Sequence, residues 1–164
     1  MPDTFENAQI LRISLKGAQD TQAFGRTLAA ILRVGDVVAL SGDLGVGKST
    51  LARAVIQKLT NQDEVPSPTF TLVQTYDCPN GDQVWHFDCY RLSQAEEAYE
   101  LGIEEAFDDA ICLIEWPEKL EGLLPSQCLW LVLEEAGNGR QLDIFGTPNW
   151  AQRLKALDLE IKTR

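Results

Sequence analysis

The feature that most constrains this chain is a glycine-rich segment at residues 42–49, with the sequence GDLGVGKS. It matches every fixed position of the pattern G-x-x-x-x-G-K-[ST], whose glycines let successive backbone N–H groups point inward around phosphate oxygens. The pattern carries this meaning when a strand precedes it and a helix follows it. Residues 37–40 are a short apolar run typical of a buried strand, and residues 49–59 have the apolar stripe of a helix. The order strand, loop, helix therefore predicts a phosphate-binding loop.

The rest of the chain alternates between helical and extended patterns. Further helices are predicted at residues 21–32, from the capping-box sequence at 93–96 to near Gly102, and from Asn149 towards Leu157. Extended segments are predicted at 71–76, 84–88, 110–114, 128–135 and 141–146, with turn signals at 79–82 and 137–139. This mixture predicts an α/β fold of the P-loop NTPase kind, with three layers. A mixed, mainly parallel central sheet would be flanked by helices and extended by antiparallel hairpins.

Length and composition are those of an ordinary globular protein. The 164 residues fit a single domain, residues 1–164, because no repeat or linker divides them. No apolar run approaches the roughly 20 residues of a membrane span, and the first residues lack the basic and apolar segments of a secretory signal. We therefore expect a cytoplasmic protein with no membrane association. The four cysteines lack metal-binding spacing and are predicted to be free thiols.

The loop predicts both a ligand and a metal. Lys48 is expected to reach the β- and γ-phosphates, and the Ser49 hydroxyl to bind Mg²⁺. The following helix adds the positive end of its dipole. No Asn is followed by Lys, so the guanine-specifying Asn-Lys-x-Asp pattern of GTPases is absent and the expected cofactors are ATP and Mg²⁺. The residues predicted to contact the nucleotide here are Asp43, Leu44, Gly45, Val46, Gly47, Lys48, Ser49 and Thr50.

Two acids at strand ends are candidates for the carboxylate that such a site adds to Mg²⁺. Glu115 follows a uniformly apolar run, as a central parallel strand would, so the pattern favours Glu115 as the metal group. Asp88 then becomes a second metal-shell or water-positioning group. Thr69 lies in a loop where a hydroxyl could sense the γ-phosphate, although threonine is common in loops for other reasons. His86 is predicted to pack or to make a structural hydrogen bond.

Four sequence blocks occur in a fixed order: GDLGVGKST at 42–50, SPTFTLV at 67–73, HFDCYRL at 86–92 and LIEWPE at 113–118. Together they closely resemble the bacterial TsaE (YjeE) family, and the resemblance extends from about residue 21 to residue 140. It implies a small ATPase that works with TsaB and TsaD to place a threonylcarbamoyl group on the tRNA adenosine beside the anticodon. TsaD would perform the transfer, and ATP hydrolysis would reset the complex between turnovers.

The resemblance also implies roles for individual residues. Lys48 would bind phosphate, Ser49 and Glu115 would hold Mg²⁺, Thr69 would belong to a switch-like loop, and Asp88 would be needed for hydrolysis. Arg140 matches a family position near the nucleotide, and residues 18–21 would line the same pocket. The chain departs from the family at Cys89, where Leu is frequent, and at Ser49, where Thr is frequent but the hydroxyl is kept.

The charge of the chain bears on its partners. It has 14 basic and 25 acidic residues and a net charge of −11. Because nucleic-acid binding depends on Lys and Arg neutralising phosphates, we expect contact with tRNA only indirectly, through TsaB and TsaD.

Two other functions fit the glycine loop. A small-molecule kinase of shikimate-kinase type has a similar length, and Asp88 would then orient the acceptor hydroxyl. Such kinases usually carry an arginine in a lid, and residues 122–127, a plausible lid region, have none. Alternatively, ATP would act as a ligand that orders the Thr69 loop and creates a partner surface.

Overall fold

The computed structural model describes residues 8–65, 72–120 and 122–157. Its strands are β1 Ala8–Leu15, β2 Val37–Ser41, β3 Val73–Asp77, β4 Gln83–Asp88, β5 Ile111–Glu115, β6 Leu129–Ala136 and β7 Gly139–Gly146. Its α-helices are α1 Ala18–Ala29, α2 Lys48–Thr60, α3 Glu97–Glu100, α4 Ile103–Asp109 and α5 Pro148–Lys155, and a 3₁₀ helix spans Pro117–Leu120.

The strands form one seven-stranded sheet in the order β1-β7-β6-β2-β5-β4-β3. The four middle strands, β6, β2, β5 and β4, run parallel to one another. Antiparallel pairs flank them on both sides: β3 with β4 at one edge, and β6 with β7 and β7 with β1 at the other. The two predicted hairpins and the mixed sheet are therefore confirmed.

Helices cover both faces of the sheet, as alternate residues of β2 make clear. Val38 and Leu40 belong to the core cluster that also contains residues of α1, α2 and α5. Val37 and Ala39 belong to a second cluster, with residues of α3, α4 and the 3₁₀ helix. All five residues of β2 are buried, and the apolar run at residues 37–40 follows from burial on two sides. The predicted three-layer α/β fold is confirmed.

The structure differs from the sequence prediction around Gly102. The sequence predicts one helix from the capping box to near Gly102, and α3 does end there, at Glu100. The prediction lacks α4, which follows directly after Gly102 and its left-handed φ of 83°. The capping contact is also shifted by one residue, because the Gln94 N–H donates to Glu97 Oε1 at 3.1 Å. Glycine adopts this left-handed backbone at little steric cost, so the residue read as a helix end instead joins two short helices.

Strand β1 was not predicted, although residues 11–15, LRISL, alternate between apolar and polar side chains as a half-buried strand does. Of its eight residues, Ile13 and Leu15 alone are buried. Its place in the sheet comes from pairing with β7, where Leu15 lies opposite Arg140.

Within the described residues, no helix combines the length and apolar character needed to cross a membrane.

Helices α1 and α2 make a close approach at Gly25, which provides a test of the packing. A Cβ atom at this position would lie 2.9 Å from Ala54 Cβ and 2.9 Å from the Leu51 carbonyl oxygen. In an open helix, Gly→Ala gains about 1 kcal/mol. Here we expect Gly25→Ala to lower the free energy of unfolding by about 1–3 kcal/mol, as overpacking does. Urea denaturation measures this change.

The matched control is Gln22→Ala, on the exposed face of the same helix. It should change the free energy of unfolding by less than about 0.5 kcal/mol. A Gly25→Ala variant as stable as the wild type would show that the two helices tolerate a wider separation.

Candidate active site

A cleft opens where the carboxyl ends of the parallel strands meet. The glycine loop follows β2, Asp88 ends β4 and Glu115 ends β5. The register places Glu115 opposite Leu40 on one side and opposite Asp88 on the other. The cavity has a volume of about 380 Å³ and is lined by the loop, the first turn of α2 and both acids. Ligands of open α/β sheets bind at this edge.

Glycine is required at two positions of the loop. Gly42 has a φ of 145°, and a Cβ there would lie 2.5 Å from the Leu133 carbonyl oxygen. Gly47 has a φ of 118° and immediately precedes α2. The loop therefore runs directly into a helix N-terminus, where free N–H groups and the helix dipole favour an anion. Thr21 of α1 flanks Gly47, which places part of the 18–21 segment beside the loop.

Lys48 is buried and folded back over the loop. Its Nζ donates to the carbonyl oxygens of Gly42 and, at 3.1 Å, Asp43. The same atom lies 4.0 Å from the centroid of the Trp116 ring, a cation–π distance. Burial lowers the pKa of Lys48, and neighbouring carboxylates, Glu115 first among them, oppose this. The ammonium group thus holds carbonyl oxygens at the site where phosphate oxygens are predicted.

Ser49 and Glu115 lie in direct contact. Ser49 Oγ donates to Glu115 Oε1 at 2.8 Å, and the second carboxylate oxygen is 2.6 Å from His86 Nε2. Burial pushes the pKa of Glu115 upward, but the hydrogen bonds from His86 and Ser49 and the charge interactions with His86 and Lys48 outweigh it. The pKa of Glu115 is therefore lowered, and the carboxylate is ionised at neutral pH.

The donor set fits Mg²⁺ bound together with a nucleotide. Mg²⁺ prefers oxygen ligands and is usually held by one or two carboxylates with phosphates and water. The adjoining hydroxyl of Ser49 and carboxylate of Glu115 offer such oxygens at the end of the phosphate-binding loop. In the described ranges, His, Cys, Asp and Glu side chains form no cluster of three or more that would bind a metal without a nucleotide.

Asp88 lines the same cleft, on the strand next to Glu115. Its Oδ1 accepts a hydrogen bond from the Tyr90 N–H at 3.1 Å. Burial raises the pKa of Asp88, the Tyr90 N–H lowers it, and the Glu115 charge raises it further. The structure thus brings the two acids together, while the role of each stays a prediction.

Arg140, on β7, contacts the backbone of the glycine loop. Its Nε donates to the Val46 carbonyl oxygen at 3.0 Å and its Nη1 to that of Gly139 at 3.0 Å. Among the described residues, the lining of the cavity includes Arg91 but not Arg140. Arg140 therefore braces the backbone of the glycine loop from β7. Thr69 lies outside the described residues, so its role stays a prediction.

Sequence reasoning missed Tyr90, which lines the cleft, and a contact at the end of β2 between Ser41 and Glu118. The Tyr90 ring lies 4.8 Å from that of Trp116, and together they cover the Lys48 side of the cavity. Ser41 donates a hydrogen bond to Glu118, which ties the end of β2 to the 3₁₀ helix. Tyr90 and Glu118 follow Asp88 and Glu115 by two and three residues, so proximity in sequence was the available signal.

The fold and the loop together define a P-loop NTPase. The family model for "Threonylcarbamoyl adenosine biosynthesis protein TsaE" matches residues 15–142. A Haemophilus influenzae protein named "tRNA threonylcarbamoyladenosine biosynthesis protein TsaE" is 38% identical over 137 residues, which cover 80% of this chain and 86% of that protein. The Bacillus subtilis protein of the same name is 36% identical over 121 residues, 73% and 75% of the two chains.

Structural comparison agrees. The crystal structure of Bacillus subtilis YdiB superposes with a TM-score of 0.76 and 28% sequence identity, over 93% of this chain and 95% of that one. The chain belongs to the TsaE family.

The contact between Arg140 and the loop predicts a measurable loss of affinity. Arg140→Ala removes the donor to the Val46 carbonyl and leaves the loop less preorganised. We expect the Kd for ATP to rise about 3- to 10-fold, with the fold intact. Isothermal titration calorimetry with an ATP analogue measures it.

Arg12→Ala is the matched control, because Arg12 pairs with Asp143 at 2.7 Å on the neighbouring strand, away from the cleft. Its Kd should equal that of the wild type. An Arg140→Ala variant with unchanged affinity would mean that the loop keeps its shape without this contact.

Proposed function

We propose that this protein is a Mg²⁺-dependent ATPase required for the threonylcarbamoyl modification of the tRNA adenosine next to the anticodon. The observation that carries the proposal is the convergence of Lys48, Ser49, Asp88 and Glu115 on one cleft at the end of the glycine loop. The names of the relatives supply the pathway. The protein would act in the cytoplasm with TsaB and TsaD, and ATP hydrolysis would reset that complex between turnovers.

Each of these residues has a role in hydrolysis. The loop N–H groups would bind the phosphates, and Lys48 would exchange the Gly42 and Asp43 carbonyls for phosphate oxygens. Ser49 and Glu115 would hold Mg²⁺, which would supply positive charge to offset that of the phosphates. Asp88, with Thr69 as the alternative, would position the attacking water.

The reaction is an in-line displacement. The water oxygen forms a bond to the γ-phosphorus while the bond from that phosphorus to the β–γ bridging oxygen breaks. One water proton stays on the attacking oxygen and the other passes to an oxygen of the released phosphate, so the products are ADP and inorganic phosphate. Lys48 offsets the charge that develops on the phosphate oxygens. A buried site strengthens this effect, because charge interactions are larger where water is excluded.

The kinase alternative gains no support from the structure. Residues 122–127 contain no arginine, and the chain belongs to the TsaE family. Transfer of the γ-phosphoryl group to a metabolite hydroxyl instead of water would reverse this conclusion.

Lys48 provides the direct test of the site. Lys48→Ala should reduce ATP hydrolysis by at least about 100-fold, the usual cost of losing one preorganised donor to developing charge. Phosphate release in the presence of TsaB and TsaD measures it. The control is Lys58→Ala, since Lys58 is exposed on the same helix. Equal turnover in the Lys48 variant and the wild type would contradict the assignment.

The charge of the chain predicts its behaviour towards tRNA. With a net charge of −11, the purified protein should bind tRNA with a Kd above about 10 μM, even at low salt. Filter binding tests this, with TsaB and TsaD together as the comparison, because the proposal assigns tRNA binding to them. Tight binding by this protein alone would contradict an indirect role.

A further inference from the structure

His86 is a fully buried histidine beside the proposed metal site. It lies on β4, two residues before Asp88, and its ring faces the same side of the sheet as Glu115. Its Nε2 is 2.6 Å from Glu115 Oε2, and the other carboxylate oxygen accepts the hydrogen bond from Ser49. Glu115 is therefore held at both oxygens, by two different elements.

The direction of the hydrogen bond follows from chemistry. A carboxylate is ionised at neutral pH and can then only accept hydrogen bonds. His86 Nε2 must therefore carry the proton and donate it to Glu115 Oε2. Ser49 donates to the other oxygen, Oε1. The bond from His86 to Oε2 therefore fixes the direction in which Oε1 points, towards Ser49 at the start of α2.

A purely structural role does not account for a histidine here. His86 Nδ1 is buried and has no hydrogen-bond partner in the part of the chain that the structure describes. An unpaired buried polar atom costs free energy, so an apolar residue of similar shape would serve packing better. The hydrogen bond that His86 makes is directed at the carboxylate of the site.

Glu115 also needs an orienting partner because of its neighbour. Asp88 lies directly opposite Glu115 in the β4–β5 register, and like charges in that arrangement repel. Left alone, the Glu115 side chain would gain by turning away from Asp88. The hydrogen bond from His86 fixes one arrangement, in which Oε1 faces Ser49.

We propose that His86 is a positioning residue, whose Nε2–H holds Glu115 so that Oε1 and Ser49 Oγ together present a ready pair of ligands to the Mg²⁺ of a bound nucleotide. The inference rests on the proposed function, since it presupposes a Mg²⁺–nucleotide site. Partners of this kind behind a metal ligand typically change metal affinity by about 10- to 100-fold when removed.

The test compares side chains that differ in where they place a donor. His86→Gln carries an amide N–H at about the distance of Nε2 and can still reach Glu115. His86→Asn carries the same amide one methylene shorter, near the position of Nδ1, and cannot reach it. His86→Leu has similar volume and no donor, and it serves if the Asn variant is too unstable to purify.

The measurement is nucleotide binding, which is independent of turnover. For each variant, calorimetry gives the Kd of a non-hydrolysable ATP analogue in Mg²⁺ and in EDTA. The ratio of the Kd in EDTA to the Kd in Mg²⁺ reports how much the metal strengthens binding. We expect His86→Asn and His86→Leu to reduce this ratio about 10-fold or more, with the Kd in EDTA nearly unchanged. His86→Gln should keep the ratio within about threefold of the wild type.

Three outcomes would overturn the inference, and they are distinguishable. A wild-type ratio in the Asn and Leu variants would show that Glu115 needs no partner at this position. An equal loss in all three variants would assign the effect to ring packing instead of the donor. A wild type whose binding does not respond to Mg²⁺ would remove the proposed function itself, and the inference with it.

Discussion

The parallel register of three central strands is the constraint on which the rest of the site depends. It sets Glu115 between Leu40 and Asp88, so the ends of β2, β5 and β4 meet at one edge of the sheet. A slip of one residue in β5 would turn Glu115 to the opposite face, away from Ser49. Burial of β2 and β5 on both faces specifies this register, because every residue of either strand is packed against a helical layer or the site.

The polar side chains at the centre of the cleft are paired with one another and with the glycine loop. Lys48 is paired with loop carbonyls and the Trp116 ring, and Ser49 is paired with Glu115. In the proposed reaction, phosphate oxygens and Mg²⁺ would replace these partners, with the side chains already near their places. Buried polar groups that would be costly if left unpaired are thus held close to the geometry that ligand binding requires.

Much of the fold and the centre of the site could be predicted from local sequence patterns. The rest depends on contacts between residues far apart in the sequence. Local patterns predict the glycine loop, β2 and α2, and the structure contains them. Local patterns also select Asp88 and Glu115, which both line the cleft, while their roles stay predictions. The contact of His86 with Glu115 joins residues 29 positions apart and depends on β4 lying next to β5, which no local pattern determines. The left-handed backbone of Trp116, at a φ of 59°, also could not be predicted from the sequence, because bulky residues rarely adopt this conformation.

The distribution of positive charge bears on the proposal that this acidic chain binds ATP and contacts tRNA only through its partners. Arg12 pairs with Asp143, Arg153 pairs with Asp36, and Arg140 binds the loop backbone. Lys48 is buried in the cleft. These cations are engaged inside the fold or at its sheet, while the net charge of −11 describes what a distant partner encounters. If TsaB and TsaD hold the tRNA, as proposed, such a charge would favour contact between this chain and a basic face of those partners.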